Sequence, residues 1–92
     1  MGLKFEWDRR KAASNFKKHG VTFEEAATAF GDPLSVTIHD PNHSNDEDRF
    51  LLLGETRGKK LVIVAHTDRN DTIRIISARP ATGGERENYE KD

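Results

Sequence analysis

The chain has 92 residues, 34% of them hydrophobic and 34% charged, with a formal net charge of −1. That length supports one core and no second domain, and the charged share exceeds the ~25% usual in globular domains, so the surface is strongly ionic. Cysteine is absent, which excludes a disulfide scaffold, a thiolate zinc centre, an iron–sulfur cluster and a cysteine nucleophile, and suits a reducing cytoplasm.

No apolar run approaches the ~18–20 residues that cross a bilayer. The opening Met1-Gly2-Leu3-Lys4-Phe5-Glu6-Trp7-Asp8 lacks the apolar core of a signal peptide. A cytoplasmic protein without membrane contact is expected. The near-zero charge hides a pattern. Residues 1–20 carry six basic and two acidic side chains, residues 21–56 carry one and eight, and residues 57–92 carry eight and six. A uniformly basic coat for nucleic acid is excluded, while basic ends around an acidic middle leave room for a local phosphate site.

Leu3-Lys4-Phe5-Glu6-Trp7 alternates apolar and charged residues and predicts a short, half-buried strand. Asp8 is placed to cap a helix over residues 9–18, whose narrow apolar stripe is Ala12, Ala13 and Phe16. Gly20 is a helix stop, because glycine takes the left-handed conformation cheaply. Thr22 and Glu25 form a capping box. Phe23, Ala26, Ala27 and Phe30 then make one apolar face, ended by Gly31-Asp32-Pro33.

Residues 34–38 alternate as a strand, broken by Asp40-Pro41-Asn42. Further strands are predicted over residues 49–55, 61–66 and 73–78. Their runs are apolar on both alternating faces, so both faces of the sheet are expected to be covered. The links between them are short, which implies antiparallel hairpins. Thr82 and Glu85 form a second capping box and open a helix ending near Tyr89, weakened by Gly83 and Gly84. The order is strand, two helices, four strands, helix: one α+β domain over residues 1–92.

The acidic loop of residues 40–48 fails as a calcium loop, since Asn45 stands where glycine is needed and Leu51 where a bidentate glutamate is needed. His39 and His43 are separated by Pro41, which precludes the helical spacing of a histidine pair. No metal site is expected. A Gly-Lys-Ser/Thr loop, a dinucleotide glycine pattern and a serine elbow are all missing.

What remains is arginine, histidine and tyrosine. Arg74 and Arg79 lie five apart, which puts them on opposite sheet faces unless a bulge re-aims one. Arg79 sits just before the last helix, where Glu85 and Tyr89 share a face. One reading makes Arg79 a phosphate seat; the other makes an Arg79–Glu85 pair a lock between helix and sheet. Lys18 and His19 either complement the negative helix C-terminus or supply a cation and a near-neutral base. Arg49 opens a strand from which it can point into a cleft. Trp7 is expected to plug the core.

The ordered set Phe5-Glu6-Trp7-Asp8, Asn15, Lys18-His19-Gly20, Phe23-Glu24-Glu25-Ala26, Phe30, Asp46-Glu47-Asp48-Arg49, Gly54-Glu55-Thr56, Arg74-Ile75-Ile76-Ser77-Ala78-Arg79 and Glu85-Arg86-Glu87-Asn88-Tyr89 resembles the BrnT family of toxins. The resemblance implies a RelE-like fold: an antiparallel sheet, two N-terminal helices on one face and a short C-terminal helix. It also implies an endoribonuclease of a type II toxin–antitoxin system that arrests growth, and the residue types present suit RNA cleavage without a metal. The implied partners are RNA and a BrnA-like ribbon-helix-helix antitoxin, through which the pair meets operator DNA. On this view Arg49, Arg74 and Arg79 clamp phosphate, and His19 or Tyr89 moves a proton. Glu85 orients an arginine, and Lys18 and Arg86 hold the RNA backbone. The competing class is a non-catalytic binding module or co-repressor, in which the arginines are structural anchors. The nuclease expectation requires the guanidinium groups to converge around one concavity.

Overall fold

The computed structural model describes residues 3–40 and 47–89. The elements follow the predicted order: β1 (Lys4–Glu6), α1 (Arg9–His19), α2 (Phe23–Thr28) with a 3₁₀ turn (Ala29–Gly31), β2 (Val36–His39), β3 (Phe50–Glu55), β4 (Leu61–Arg69), β5 (Thr72–Pro80) and α3 (Gly83–Tyr89). The residues at the helix ends explain the boundaries. Asp8 Oδ1 accepts from the backbone N–H of Arg10 and Lys11 at 2.8 and 3.0 Å. Gly20 closes α1 at φ 74°, its N–H donating to the Phe16 carbonyl at 2.8 Å. Thr22 Oγ1 accepts from the Glu25 N–H at 3.0 Å, while the Glu25 carboxylate accepts from the Thr56 hydroxyl beyond β3. At α3 the box closes both ways, Thr82 N–H to Glu85 at 2.9 Å and Glu85 N–H to Thr82 Oγ1 at 3.3 Å.

The sheet order is β1-β5-β4-β3-β2. The last four strands run as antiparallel neighbours, as their short links require. β1 departs from the expected antiparallel sheet: it pairs with β5 in parallel, Phe5 opposite Ile73 and Glu6 opposite Arg74. The short-link argument never constrained β1, because α1, α2 and three strands lie between it and its partner.

One face of the sheet carries the main core. Val21, Phe23, Ala26 and Ala29 pack on Leu52, Val62, Val64, Ile75 and Ala78. Trp7 meets Phe23 edge-on at 5.9 Å between ring centres, and so plugs this core. The close approach of the 3₁₀ turn depends on Gly54, where a Cβ would stand 3.0 Å from the Ala29 carbonyl oxygen. The opposite face carries a smaller cluster, Leu53, Leu61 and Ile63, against which Leu51, Ala81 and Tyr89 pack. Coverage of that second face is partial, contrary to expectation, because α3 is only two turns long and β2 stays exposed along its length.

The expected stripe of α1 is also corrected. Phe16 is 52% exposed, whereas Asn15 is buried. The Asn15 Nδ2 donates to the Ala78 carbonyl at 2.8 Å and the Val21 carbonyl at 3.1 Å, and its Oδ1 accepts from the Ala78 N–H at 3.1 Å. β1 pairs with β5 only through Arg74. Past that point the Asn15 carboxamide takes the place of a neighbouring strand's peptide group, which is why a polar residue rather than the phenyl ring turns inward.

Candidate functional site

The geometry of the second face starts from an irregularity in β5. Ser77 lies opposite Ala65 and Ile75 opposite His66, so Ile76 is an extra residue in the ladder. Arg79 lies opposite Ile63 and Arg74 opposite Thr67. Positions 63 and 67 of the regular strand β4 point to one face. The bulge therefore brings Arg74 and Arg79 to the same side of the sheet, the side away from α1 and α2. They stand at opposite ends of it, since four residues of strand span about 13 Å.

Arg74 belongs to a cluster. Its Nη1 donates to Glu6 Oε2 at 3.2 Å, and Arg69 approaches the same oxygen at 3.7 Å. Arg69 also pairs with Glu47, Nε to Oε2 at 2.8 Å. The hydrogen bond from Arg69 holds the Glu47 carboxyl below its ordinary range, against a burial effect that raises it, and the charges of Arg69, Arg74 and Arg49 add to the lowering. Among the described residues Arg69 alone pairs with Glu47, while Arg69 and Arg74 meet at Glu6. The segment before β3 that carries Glu47 is fastened by Thr67 Oγ1, which donates to the Asp48 carbonyl at 2.7 Å. A cavity of about 330 Å³ lined by Glu47, Asp48, Phe50, Thr67 and Asp68 adjoins the cluster. Sequence reading singled out Arg49 and Arg74 and missed Arg69. The signal for Arg69 was the two-residue turn Asn70-Asp71, which places Arg69 beside the start of β5.

The other end is built around α3. Arg79 holds Glu85 with two bonds, at 2.9 and 2.8 Å. That contact, with the Thr82 box, depresses the Glu85 carboxyl to about 2. The Tyr89 hydroxyl donates to Asp32 Oδ2 at 2.5 Å. Asp32 also accepts from the backbone N–H of Glu55 at 2.8 Å and of Leu34 at 2.9 Å. Burial pushes the Asp32 carboxyl up, yet these three donors outweigh it and the net shift is downward. Glu85 and Tyr89 share a face as expected, and the lock between Arg79 and Glu85 is present. Arg86 is exposed on α3.

His19 and Lys18 join neither group. They end α1, in the helical layer on the other side of the sheet, where Lys17, Lys18 and His19 complement the negative end of the helix. A larger groove of about 630 Å³ lies between the 3₁₀ turn and the β3–β4 turn, with Phe5 and Phe30 among its lining residues and Asp32, Glu55, Arg57 and Lys59 balancing in charge. Among the described residues no three His, Asp or Glu side chains gather as metal ligands. His43, half of the histidine pair considered from the sequence, lies outside the described residues, as does Asp46.

A family model described as the ribonuclease toxin BrnT of type II toxin–antitoxin systems matches residues 7–85. The chain belongs to the BrnT family. Among solved structures, the Brucella abortus ribonuclease toxin BrnT superposes with a TM-score of 0.64 at 23% identity, covering 88% of this chain and 99% of that one. This likeness shows a shared fold. No curated protein sequence matches. The BrnT segment takes in His19, Arg49, Arg69, Arg74, Arg79 and Glu85, while Arg86 and Tyr89 lie beyond its end. The family is that of the ribonuclease toxins of type II toxin–antitoxin systems, and a type II toxin family implies an antitoxin partner.

Proposed function

We propose that this BrnT toxin is a RelE-like endoribonuclease that cuts RNA without a metal. The ribose 2′-hydroxyl attacks the adjacent phosphorus, the bond to the 5′-oxygen breaks, and a 2′,3′-cyclic phosphate is left. The observation that carries the reading is the pair Arg69 and Arg74, which share Glu6 Oε2 on the open sheet face while Arg69 also holds Glu47. Guanidinium groups stay charged at any working pH and match phosphate oxygens in pairs. A phosphate entering the cluster takes the place of the Glu47 carboxylate. The charge developing on the pentacovalent phosphorus is then met by fixed cations, a contribution on the order of 10²–10³ in rate per donor.

Neither proton-transfer candidate stands beside this cluster: His19 lies in the opposite layer, and Tyr89, although on the arginine face, belongs to the Arg79 end, where its hydroxyl is held by Asp32. Arg79 and Glu85 hold α3, and through it Tyr89, in position. Lys18 is then a helix-end charge, and Arg86 an outlying contact to the RNA backbone. A BrnA-like ribbon-helix-helix antitoxin is the proposed partner and carries the pair to operator DNA. The basis for both is membership of the family.

The test is incubation of purified protein with RNA, with end-group analysis for 2′,3′-cyclic phosphate. Arg69→Ala and Arg74→Ala are expected to lower cleavage by on the order of 10², with unchanged far-UV spectra. Cleavage lost in EDTA would remove the metal-free scheme. Every one of Arg69, Arg74 and Arg79 faces a carboxylate, which favours the second reading, a non-catalytic co-repressor. Operator binding with the antitoxin but no RNA cleavage would establish that reading.

A further inference from the structure

β2 is an outer strand of the sheet, and all four of its residues are exposed. Its outward groups follow from the ladder. The Asp40 N–H donates to the Arg49 carbonyl at 2.8 Å, so position 40 faces β3 and, at period two, so do Ile38 and Val36. Thr37 turns its N–H and C=O away from the sheet. Val36 and Ile38 lie opposite Leu53 and Leu51, on the arginine face, at 45% and 57% exposure, and Leu34 before them is 67% exposed. A strand edge with an apolar stripe beside it is a template for another strand.

Charge selects the occupant. Asp32 precedes the strand, Asp40 follows it, and Asp48 and Glu55 flank its neighbour β3. Residues 21–56 hold one arginine against eight carboxylates. A nucleic acid is repelled by such a frame. A second copy pairing antiparallel would set Asp32 of one chain against Asp40 and Asp48 of the other, and is disfavoured for the same reason. We propose that the β2 edge receives an extended segment of the antitoxin, with apolar side chains over Val36 and Ile38 and lysine or arginine between them. The proposal rests on the toxin reading only in naming the antitoxin as carrier of that segment. Docked there, the segment borders the arginine face and blocks the approach of RNA.

The test measures the affinity of the toxin for its cognate antitoxin, co-purified and then separated, at low and high salt. Thr37→Pro removes the outward donor while leaving the β2–β3 ladder intact, a substitution that strand edges tolerate. It is expected to weaken the complex at least tenfold. The double variant Val36→Lys, Ile38→Lys is expected to do the same through charge and lost apolar contact. Salt is expected to weaken the wild-type complex, and RNA cleavage by the free variants is expected to match wild type. Binding within twofold of wild type in both variants, with native circular dichroism, overturns the proposal. So does a wild-type homodimer that Thr37→Pro converts to monomer. A wild-type chain that binds antitoxin through this edge yet cuts no RNA upholds the docking site and removes the nuclease reading instead.

Discussion

Asn15→Ala probes the joint between α1 and the sheet. The substitution deletes three hydrogen bonds at 2.8–3.1 Å. It leaves the N–H and C=O of Ala78, which is fully buried, without the carboxamide that paired with both. An unsatisfied buried backbone group costs roughly 1–3 kcal/mol, relieved where water can enter the space of the deleted side chain. The expected loss is about 2–4 kcal/mol, a large share of the ~5–15 kcal/mol that holds such a domain. It corresponds to a fall in Tm of roughly 10–25 °C for a chain of this size. The assay is urea unfolding followed by the fluorescence of Trp7, the only tryptophan, which packs on Phe23 within the core. The midpoint should fall with an unchanged slope. Asn15→Asp sharpens the test. Its carboxylate keeps the acceptor for the Ala78 N–H but faces two carbonyl oxygens, so its pKa rises on folding and the destabilisation should shrink as pH falls and the group protonates. A loss below about 0.5 kcal/mol for Asn15→Ala, the range of ordinary surface changes, would refute the view that this amide substitutes for a strand.

Tyr89→Phe removes the donor to Asp32 while keeping the ring against Leu53, Leu61 and Ile63. It should cost about 1–2 kcal/mol in melting experiments and, if Tyr89 moves the proton, far more in RNA cleavage than in stability. His66 is buried between Phe30 and Phe50, with Nδ1 donating to the Val64 carbonyl at 3.2 Å, and burial depresses its pKa. The unfolded chain then binds the extra proton, so stability is full above the ordinary value of about 6.5 and declines as pH drops below it. His66→Phe should flatten that slope in urea titrations between pH 7 and 5. Glu85, depressed from 4.5 to about 2, contributes stability that is present above 4.5 and lost as pH falls toward 2. Glu85→Gln should remove that acid limb.

The elements were legible because local chemistry decides them: Asp8, Thr22 and Thr82 cap, Gly20 stops, and short links force hairpins. The orientation of β1 was not legible, since nothing near it in the chain records which strand it joins. Nor was the inward turn of Asn15, whose reason is a backbone edge on β5, distant in sequence. Arg49 and Arg74 could be singled out by residue type, but the meeting of Arg74 with Arg69 at Glu6 depends on the register of β4 and β5, which no local pattern encodes.

The bulge at Ile76 carries the most information of this hidden kind. A regular β5 would hold Ile75 and Ala78 on opposite faces, yet both are buried in the same core. The extra residue resolves that conflict, and the same step brings Arg74 and Arg79 to one face. Deleting Ile76 leaves Ile75 and Ala78 two residues apart and Arg74 and Arg79 four apart, so a regular ladder keeps each pair on its present face. The deletion variant should accordingly keep cooperative unfolding, and Ile76→Val, which preserves the residue count, should stay within about 1.5 kcal/mol of wild type. Inserting one residue beside Ile76 instead adds a second unpaired position, and either Ile75 or Ala78 must then leave the core, so the insertion variant should lose several kcal/mol or fail to fold. A deletion variant that fails to fold while the insertion variant is native in stability would refute the view that Ile76 is there to set which residues share a face.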